Sequence, residues 1–372
     1  MKSPLYNVLH RELCRMTSRR LYLGVCLVLP LFCLFFMATI FGSGQMENIP
    51  IGIVDQDNTA TSRQIARNIS AVPTFSVTRH FTDEAAARQA VQRKEIYGYL
   101  SIPTGFEQHA TTGMDATLSY YYHYALLSVG SELMAAFETA LAPVALSPIA
   151  MEAISLGLNQ EQITTFLLPV QASMHPLYNP DLDYSVYLSQ PFFYVLFQIL
   201  ILLTTVYSIG SELKFGSAGE WLEMARGNIL TAVAGKLLPY TLIFSSIGIL
   251  ANYVLFGPLH IPFAGSLWLM NAVTVLFIIA TQALAVFIYS VFPKIAYIIS
   301  VVSMVGSLGA TLSGVTFPVT AMYAPVHAAS YLFPVRHFTE AAQAMIYFDA
   351  GFAYFWQSVA TLFIFLLAAL LI

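Results

Sequence analysis

Long apolar runs without charged residues alternate with short polar segments along most of this chain. A helix needs about 20 apolar residues to cross the hydrocarbon core of a bilayer, and runs of that length can be picked out directly. Six of them predict membrane spans: Leu21–Phe41, Pro191–Ile209, Leu230–Phe256, Ser266–Val291, Ile295–Ser313 and Phe352–Ile372. The pattern therefore predicts a polytopic α-helical membrane protein with six transmembrane helices.

The segment between the first two spans, 42–189, has a different pattern. Short runs predict strands at 49–55, 74–81, 97–103 and 116–122, and capped segments between them predict helices at 59–70 and 82–94. Strands that alternate with helices indicate a small α/β domain. A mostly helical stretch is predicted from about Leu126 to Gly157, interrupted by Pro143 and Pro148, and a return strand at 167–180.

The residues ahead of the first span predict an amphipathic helix. Its apolar positions recur at helical spacing and its arginines are offset from them: Leu5, Val8, Leu9, Leu13 and Met16 against Arg11, Arg15 and Arg19. Such a helix either lies in the headgroup plane with its basic side toward the lipid phosphates or packs on the helix bundle. The sequence leaves both alternatives open.

Composition agrees with a membrane protein. Of 372 residues, 57% are hydrophobic and 10% are charged, whereas about a quarter are charged in soluble proteins. The net charge is −4 and no basic stripe interleaves with aromatic residues, which excludes nucleic acid as a partner. The 3 cysteines lie within residues 14–33, so the α/β domain holds no disulfide framework or Cys-based zinc site.

Basic residues in short loops mark the cytoplasmic side of a membrane protein. They precede the first span, surround the loop after the second span and recur as Lys294 after the fourth. Both termini and the loop after the second span are therefore predicted in the cytoplasm, and the α/β domain outside.

The first span lacks an A-x-A cleavage site, which favours a retained anchor over a signal peptide. The last run reaches Ile372 without a polar cap, so we expect a short further tail.

The predicted spans contain no ionisable relay of the kind that ion-coupled carriers use at membrane depth. Between Lys236 and Lys294 the one candidate is His260, in an outer turn. A phosphate-binding G-x-x-x-x-G-K-[ST] loop is absent too, because Leu230 and Leu237 replace its first glycine and its hydroxyl residue. Any energy for transport is therefore expected from a separate ATPase.

A charged island, Gly210–Asn228, lies between the second and third spans. Helical spacing groups its residues on two sides: Trp221, Leu222 and Ala225 on one, and mostly Glu220, Glu223 and Arg226 on another. A short amphipathic helix of this kind would seat in a groove of a partner with Trp221 as its anchor. A solvated loop is the alternative.

Glycine and prolines interrupt the apolar segment before the last span, at Gly314, Pro318, Pro325 and Pro334. A spanning helix cannot continue there, and broken backbone at membrane depth must be covered by protein or face a water-filled cavity. This predicts a re-entrant pair of short helices at the outer leaflet. Arg336 is expected near the outer interface, where its head snorkels into water, as a structural anchor rather than a cargo contact.

Other motifs predict no chemistry. The segment DQDNTA begins like a calcium loop, but Ala60 and Ala66 replace the required glycine and glutamate, so a capped turn is favoured. His109, His123 and His175 lack the close spacing of metal ligands. The tyrosines of SYYYHY are expected to pack. No catalytic, cofactor-binding or metal-binding residue is assigned.

Several segments together resemble the permease subunits of bacterial type-2 ABC transporters with a large extracytoplasmic domain. RELCRMTSRRLYLGVCLVLP is similar to the connecting helix and first span of that family, IPIGIVDQDNTATSRQIARNI and YGYLSIPTGFEQ to its outer domain, and HPLYNPDLDY to its Tyr-Asn-Pro segment. The strongest matches are GSAGEWLEMARGNILTAVAGKLLPY and LSGVTFPVTAMYAPVHAASYLFPVRHFTEAAQAM. One departure is that residues 225–227 replace a proline that many relatives have in the coupling segment.

The resemblance implies a domain plan and a set of partners. The plan is a cytoplasmic connecting helix at 1–20, a first span at 21–41, an extracytoplasmic domain at 42–189 and a five-span domain at 190–372, with a coupling segment at 211–228 and a re-entrant region at 314–350. The implied partners are a second copy or a paralogue and cytoplasmic ATPases that bind ATP and magnesium. This chain itself would hold no cofactor. A periplasmic adaptor stays open.

We therefore expect a permease subunit, itself not an enzyme, of an ATP-driven exporter in the bacterial inner membrane. Its cargo would be a hydrophobic or amphipathic compound, drug-like or lipid-like, met by the second and fifth spans at a dimer centre. The alternatives are a non-transporting scaffold whose outer domain recruits envelope proteins and, disfavoured by the lack of polar groups at depth, an intramembrane enzyme.

Overall fold

The computed structural model describes residues 3–40, 44, 46–112, 116–155, 178–179, 183–347 and 351–370, with backbone alone at 127, 143, 145–155 and 368–370. The chain forms two compact units. One, the membrane unit, comprises Met1–Gly44 and Leu177–Ile372, and the other, the α/β unit, comprises Gln45–Pro176.

Two helices begin the membrane unit. Helix α1, Pro4–Ser18, starts with proline after Ser3, whose side chain accepts a hydrogen bond from the Tyr6 N–H at 3.3 Å. Helix α2, Arg20–Ile40, contains a widened π turn at Gly24–Val28 directly before Pro30. Proline does not fit the interior of a regular α-helix, because it lacks the backbone N–H and its ring clashes with the carbonyl four residues earlier.

The α/β unit alternates strands and helices in the predicted order. Its elements are β1 Ile49–Asp55, α3 Ala60–Ser70, β2 Phe75–Phe81, α4 Glu84–Gln92, β3 Gly98–Ile102, α5 Phe106–Thr112, β4 Ser119–Tyr122 and α6 Leu127–Ser155. The four predicted strands and both capped helices coincide with these elements. Helix α6, however, is continuous through Pro143 and Pro148, and the predicted return strand lies outside the described residues except for 178 and 179.

The four strands form one sheet in the order β2-β1-β3-β4, with β1 parallel to β2 and β3 and with β4 antiparallel to β3. Both faces of the sheet are covered. Ile51 and Ile53 pack with α3 and α6 on one face, whereas Val54 and Tyr99 pack with α4 on the other. Coverage on both faces explains why β1 reads as a nearly continuous apolar run.

The remaining helices complete the membrane unit. They are α7 Ser185–Lys214, α8 Ala218–Met224, α9 Ile229–Phe256, α10 Leu267–Val291, α11 Ile295–Leu312, α12 Ala324–Ser330, α13 Pro334–Tyr347 and α14 Trp356–Leu370. A π turn at Ser185–Ser189 precedes Pro191 in α7, as one precedes Pro30 in α2.

Among the described residues, 5 helices are long and apolar enough to cross a membrane: α2, α7, α9, α10 and α11. Helix α14 is apolar but shorter. These helices lie where the six apolar runs were predicted. The largest difference is α7, which begins six residues before the predicted second span, Pro191–Ile209, and ends five residues after it, and so brings Glu212 into its last turn.

Candidate functional site

A polar loop, residues 215–228, joins α7 to α9 and contains the short helix α8. Positive backbone φ angles at Gly216, Arg226 and Gly227 turn the chain at both ends of α8. Asn228 then caps α9, with its side-chain oxygen accepting a hydrogen bond from the Thr231 N–H at 3.1 Å. The charged island is thus an ordered helix between two turns.

Helix α8 has an inner and an outer side. Trp221 is only 6% exposed, and its indole N–H donates to the Ala232 carbonyl on α9 at 3.1 Å. Glu220, Glu223 and Arg226 are exposed, and Leu222 is 37% exposed. The structure therefore places Trp221 inside this chain, where it fastens α8 to α9, instead of presenting it as an anchor for a partner.

Directly behind α8, the Glu212 carboxylate accepts hydrogen bonds from three basic side chains. Arg11 binds it in a bidentate manner, at 2.9 Å to Oε1 and 3.0 Å to Oε2, and Lys236 Nζ lies 2.6 Å from Oε1. Arg15 and the Ser217 hydroxyl are its further donors. The bond to Glu212 raises the pKa of Arg11 above its ordinary value, although partial burial opposes this.

Lys236, in the second turn of α9, is fully buried at 0% exposure. Its ammonium also lies 2.7 Å from Glu12 Oε2, and the Tyr240 hydroxyl donates to Glu12 Oε1 at 2.7 Å. The same ammonium lies 5.3 Å from the centroid of the Trp221 ring. Lys236 thus contacts α1, α7 and the polar loop at once.

We call Arg11, Glu12, Arg15, Glu212 and Lys236 the ion cluster. Burying charges costs several kcal/mol per ion, which attraction repays only when the geometry is good and the remaining hydrogen-bonding capacity is satisfied. Here both carboxylates have donors on each oxygen. Such a cluster is weak evidence for stability, but it specifies one relative arrangement of the three helices that contribute to it.

Helix α1 packs closely on α9, and this decides between the two alternatives for the N-terminal helix. Val8, Glu12 and Met16 are buried, and a Cβ added at Gly235 would lie 2.9 Å from Val8 Cβ. Arg11 and Arg15 bind Glu212 and are not directed at lipid phosphates. The packing alternative is therefore favoured.

The ion cluster was not predicted from the sequence. A signal was present, because Glu12 stands between Val8 and Met16 at spacings of four residues and so places a carboxylate on the buried stripe of α1. A charge on an apolar stripe requires a buried partner. Which partner it finds depends on the packing of α1 against α9, which no local pattern encodes.

Comparison with known proteins identifies the family. A family model described as "ABC-2 family transporter protein" matches residues 20–372. The chain belongs to the ABC-2 family of transporter proteins. A search of curated proteins and a search of solved structures found no match.

Membership of the ABC-2 family makes this chain the membrane subunit of an ABC transporter and a multi-pass membrane protein. ABC-2 permeases typically work with a cytoplasmic ATPase subunit. The polar loop and the ion cluster behind it therefore belong to the membrane subunit of an ABC transporter.

Two short helices occupy the interrupted region of this ABC-2 subunit between α11 and α14. Gly314 adopts a φ of +88°, and Pro318 precedes a 3-10 turn at Val319–Ala321. Pro325 and Pro334 lie in the first turns of α12 and α13, where proline is tolerated. Arg336, expected to snorkel into water, differs from that expectation, since it is buried at 4% exposure.

In the α/β unit, the DQDNTA segment and the tyrosines of SYYYHY make contacts within the fold. Thr59 caps α3, its side chain accepting a hydrogen bond from the Ser62 N–H, as the predicted capped turn requires. Asp57 accepts hydrogen bonds from the Thr59 hydroxyl at 2.8 Å and the Glu107 N–H at 3.0 Å. Tyr120 packs on Phe137, with ring centroids 5.2 Å apart. Within the part of the chain that is described, no group of three or more metal-ligating side chains occurs; His175 lies outside that part.

Proposed function

We propose that this ABC-2 subunit is the permease of an ATP-driven exporter, with α8 as the element on which the ATPase acts. One observation carries the proposal: α8 exposes Glu220, Leu222 and Glu223 while its inner side is fastened through Trp221 to Lys236. A push on the exposed side would reach the ion cluster, and through it α1 and α7, by direct contacts.

The distribution of charge supports an external source of energy. Of the described ion pairs in the membrane unit, all four involve the ion cluster at the polar-loop end. Helices α10, α11 and α14 contribute no Asp, Glu, Lys or Arg to them. A cation or proton path through the spans would need such groups at intervals along its length.

In this proposal the polar loop and both termini lie in the cytoplasm, the membrane is the bacterial inner membrane, and the α/β unit, inserted between α2 and α7, lies outside. Six spans would result if α14 also crosses. An adaptor protein would then bind this chain on the outer side of the membrane.

A second copy or a paralogue is proposed to pack against α11. That helix exposes a stripe of large apolar side chains, Tyr297, Met304 and Leu308, at spacings of seven and four residues. Apolar faces of α7 and α11 would then border a central path.

A second feature that suits hydrophobic or amphipathic compounds is an apolar cavity of about 500 Å³ among α9, α10 and α14. At this cavity the Thr241 hydroxyl donates a hydrogen bond to the Gln282 side-chain oxygen at 2.7 Å.

The decisive experiment is site-specific photocrosslinking in native membranes. A benzophenone amino acid at Leu222, on the exposed side of α8, is expected to crosslink an ABC ATPase that mass spectrometry identifies. The matched control carries the same amino acid at Trp268, an exposed position at the start of α10. Absence of an ATPase adduct at position 222, or equal adducts at both positions, would contradict the proposal and favour the scaffold alternative.

A further inference from the structure

Arg336 is a buried cation outside the ion cluster. It lies in the first turn of α13 and is 4% exposed, and its Nε and Nη1 atoms are buried without any hydrogen-bond partner. Guanidinium groups keep their charge in proteins, so this charge cannot be removed by loss of a proton. An unpaired buried charge costs several kcal/mol, which makes Arg336 physically anomalous.

The described residues supply no anion for Arg336, since it takes part in none of their ion pairs. Glu340, one turn later on α13, is exposed and accepts a hydrogen bond from the Ser358 hydroxyl at 3.0 Å. What covers the guanidinium is the Tyr331 ring, whose centroid lies 3.8 Å from Cζ. A cation–π contact of this kind offsets only about 2 kcal/mol of the desolvation.

The position of Arg336 strengthens the need for an anion. A helix N-terminus carries a partial positive charge and favours negative groups, so an arginine in the first turn adds a second positive charge to the first. Thr339 follows at the i+3 position, on the same side of α13, and its buried Oγ1 also has no partner. Two orphaned donors on one side of a helix start therefore point to the same missing acceptor.

The surroundings indicate where that acceptor comes from. The segment before α13 exposes large apolar side chains, Phe317, Tyr323, Val326, Tyr331 and Leu332. Lipid tails are as apolar as these side chains, so acyl chains are suited to pack along them. A ligand that combines an anionic oxygen group with acyl chains matches both features, whereas a free anion matches only the first.

We propose that Arg336 binds the phosphate of a glycerophospholipid, with the Tyr331 ring as the movable cover of the site and the acyl chains along the exposed apolar residues of 317–332. Phosphate oxygens match the planar fork of a guanidinium in a bidentate manner. The proposal does not depend on the cargo, on the direction of transport or on the ATPase.

The first test uses the unaltered full chain, purified in a neutral detergent and depleted of lipid. Phosphatidylglycerol, diacylglycerol with the same chains, and inorganic phosphate are added separately, and native mass spectrometry and the unfolding temperature are recorded. Phosphatidylglycerol is expected to remain bound and to raise the unfolding temperature, and the other two are not. Equal effects of phosphatidylglycerol and diacylglycerol, or an equal effect of free phosphate, would overturn the proposal.

The second test compares variants in their affinity for phosphatidylglycerol. Arg336→Gln is expected to weaken binding about tenfold or more, because a charge-assisted pair is lost, and Arg336→Lys to weaken it less. Arg93→Gln, at an exposed arginine that follows α4 in the α/β unit, is the matched control and should bind as the unaltered chain does. Unchanged affinity in a folded Arg336→Gln protein would refute the site, and the diacylglycerol comparison decides the matter if that variant does not fold.

Discussion

Glu212 and Lys236, 24 positions apart in the sequence at opposite ends of the polar loop, meet at 2.6 Å in a region that water does not reach. Glu212 lies in the last turn of α7 and Lys236 in the second turn of α9, so this contact closes the base of the loop. Because Arg11, Glu12 and Arg15 bind the same two side chains, the N-terminal helix is held at the same point.

Removing Lys236 should destabilise the protein strongly. Lys236→Met leaves the Glu12 and Glu212 carboxylates buried with one donor fewer each, and breaking a buried pair in this way costs about 3–5 kcal/mol of the free energy of unfolding. Unfolding of the detergent-purified protein measures this. Lys294→Met is the control, since Lys294 is exposed and a surface substitution changes stability by about 0.5 kcal/mol or less.

A double-mutant cycle measures the interaction energy between Glu212 and Lys236 apart from the contacts that each makes with other residues. Glu212→Gln combined with Lys236→Met should destabilise the protein by less than the sum of the two single changes, because the second change removes a charge that the first left unpaired. Additive effects would mean that the two side chains do not interact.

The two sides of α8 should respond differently to truncation. Trp221→Ala removes the buried indole and its hydrogen bond to Ala232, and truncation of a buried Trp costs about 3–5 kcal/mol. Leu222→Ala should leave the unfolding temperature nearly unchanged while weakening retention of the ATPase about tenfold. Co-purification of the ATPase and thermal unfolding, measured on both variants, test this split; a Leu222→Ala protein that retains the ATPase fully contradicts it.

The exposed stripe of α11 should lie against another subunit. With Cys14, Cys26 and Cys33 replaced by serine, a cysteine at Met304 is expected to form a disulfide-linked dimer in oxidised membranes, detected by non-reducing electrophoresis. A cysteine at Ile364, equally exposed but on α14, serves as the control and should not crosslink. A reversed pattern would move the subunit interface to α14.

Acid should weaken the turn at the start of α3. Burial alone would raise the pKa of Asp57, but hydrogen bonds from Thr59 and from backbone N–H groups of residues 105–107 lower it below its ordinary value of 3.8. A lowered folded-state pKa means that Asp57 contributes stability above the unfolded value and loses that contribution as the pH falls through the folded value. The contribution should therefore be complete at neutral pH and vanish as the pH falls below the lowered folded-state pKa of Asp57.

Hydrogen exchange measures this contribution locally. In Asp57→Asn, amides in the first turns of α3 and α5 should exchange about fivefold faster than in the unaltered protein at pH 6, because a charge-assisted hydrogen bond is weakened. The unfolding temperatures of the two proteins should converge as the pH falls below the folded-state pKa of Asp57. A difference that persists there would show that the Asp57 charge is not its cause.

Much of the fold could be predicted because its signals are local. Apolar runs of the length of a bilayer marked the membrane helices to within a few residues, and alternation with caps marked β1–β4 and α3–α4. The continuity of α6 through Pro143 and Pro148 could not be predicted, since proline ordinarily interrupts a helix. The charged island was likewise visible as a candidate site, but the inward orientation of Trp221 was not.

The sequence by itself determined which segments are apolar enough to cross a membrane, because transfer of a side chain into hydrocarbon depends on that side chain and its near neighbours. Only the tertiary structure decided that Glu12, Glu212 and Lys236 share one buried cluster and that Arg336 lacks a counterion within the described residues. The physical reason is that the free energy of a buried charge depends on groups far away in the chain, which the packing of helices brings together or keeps apart.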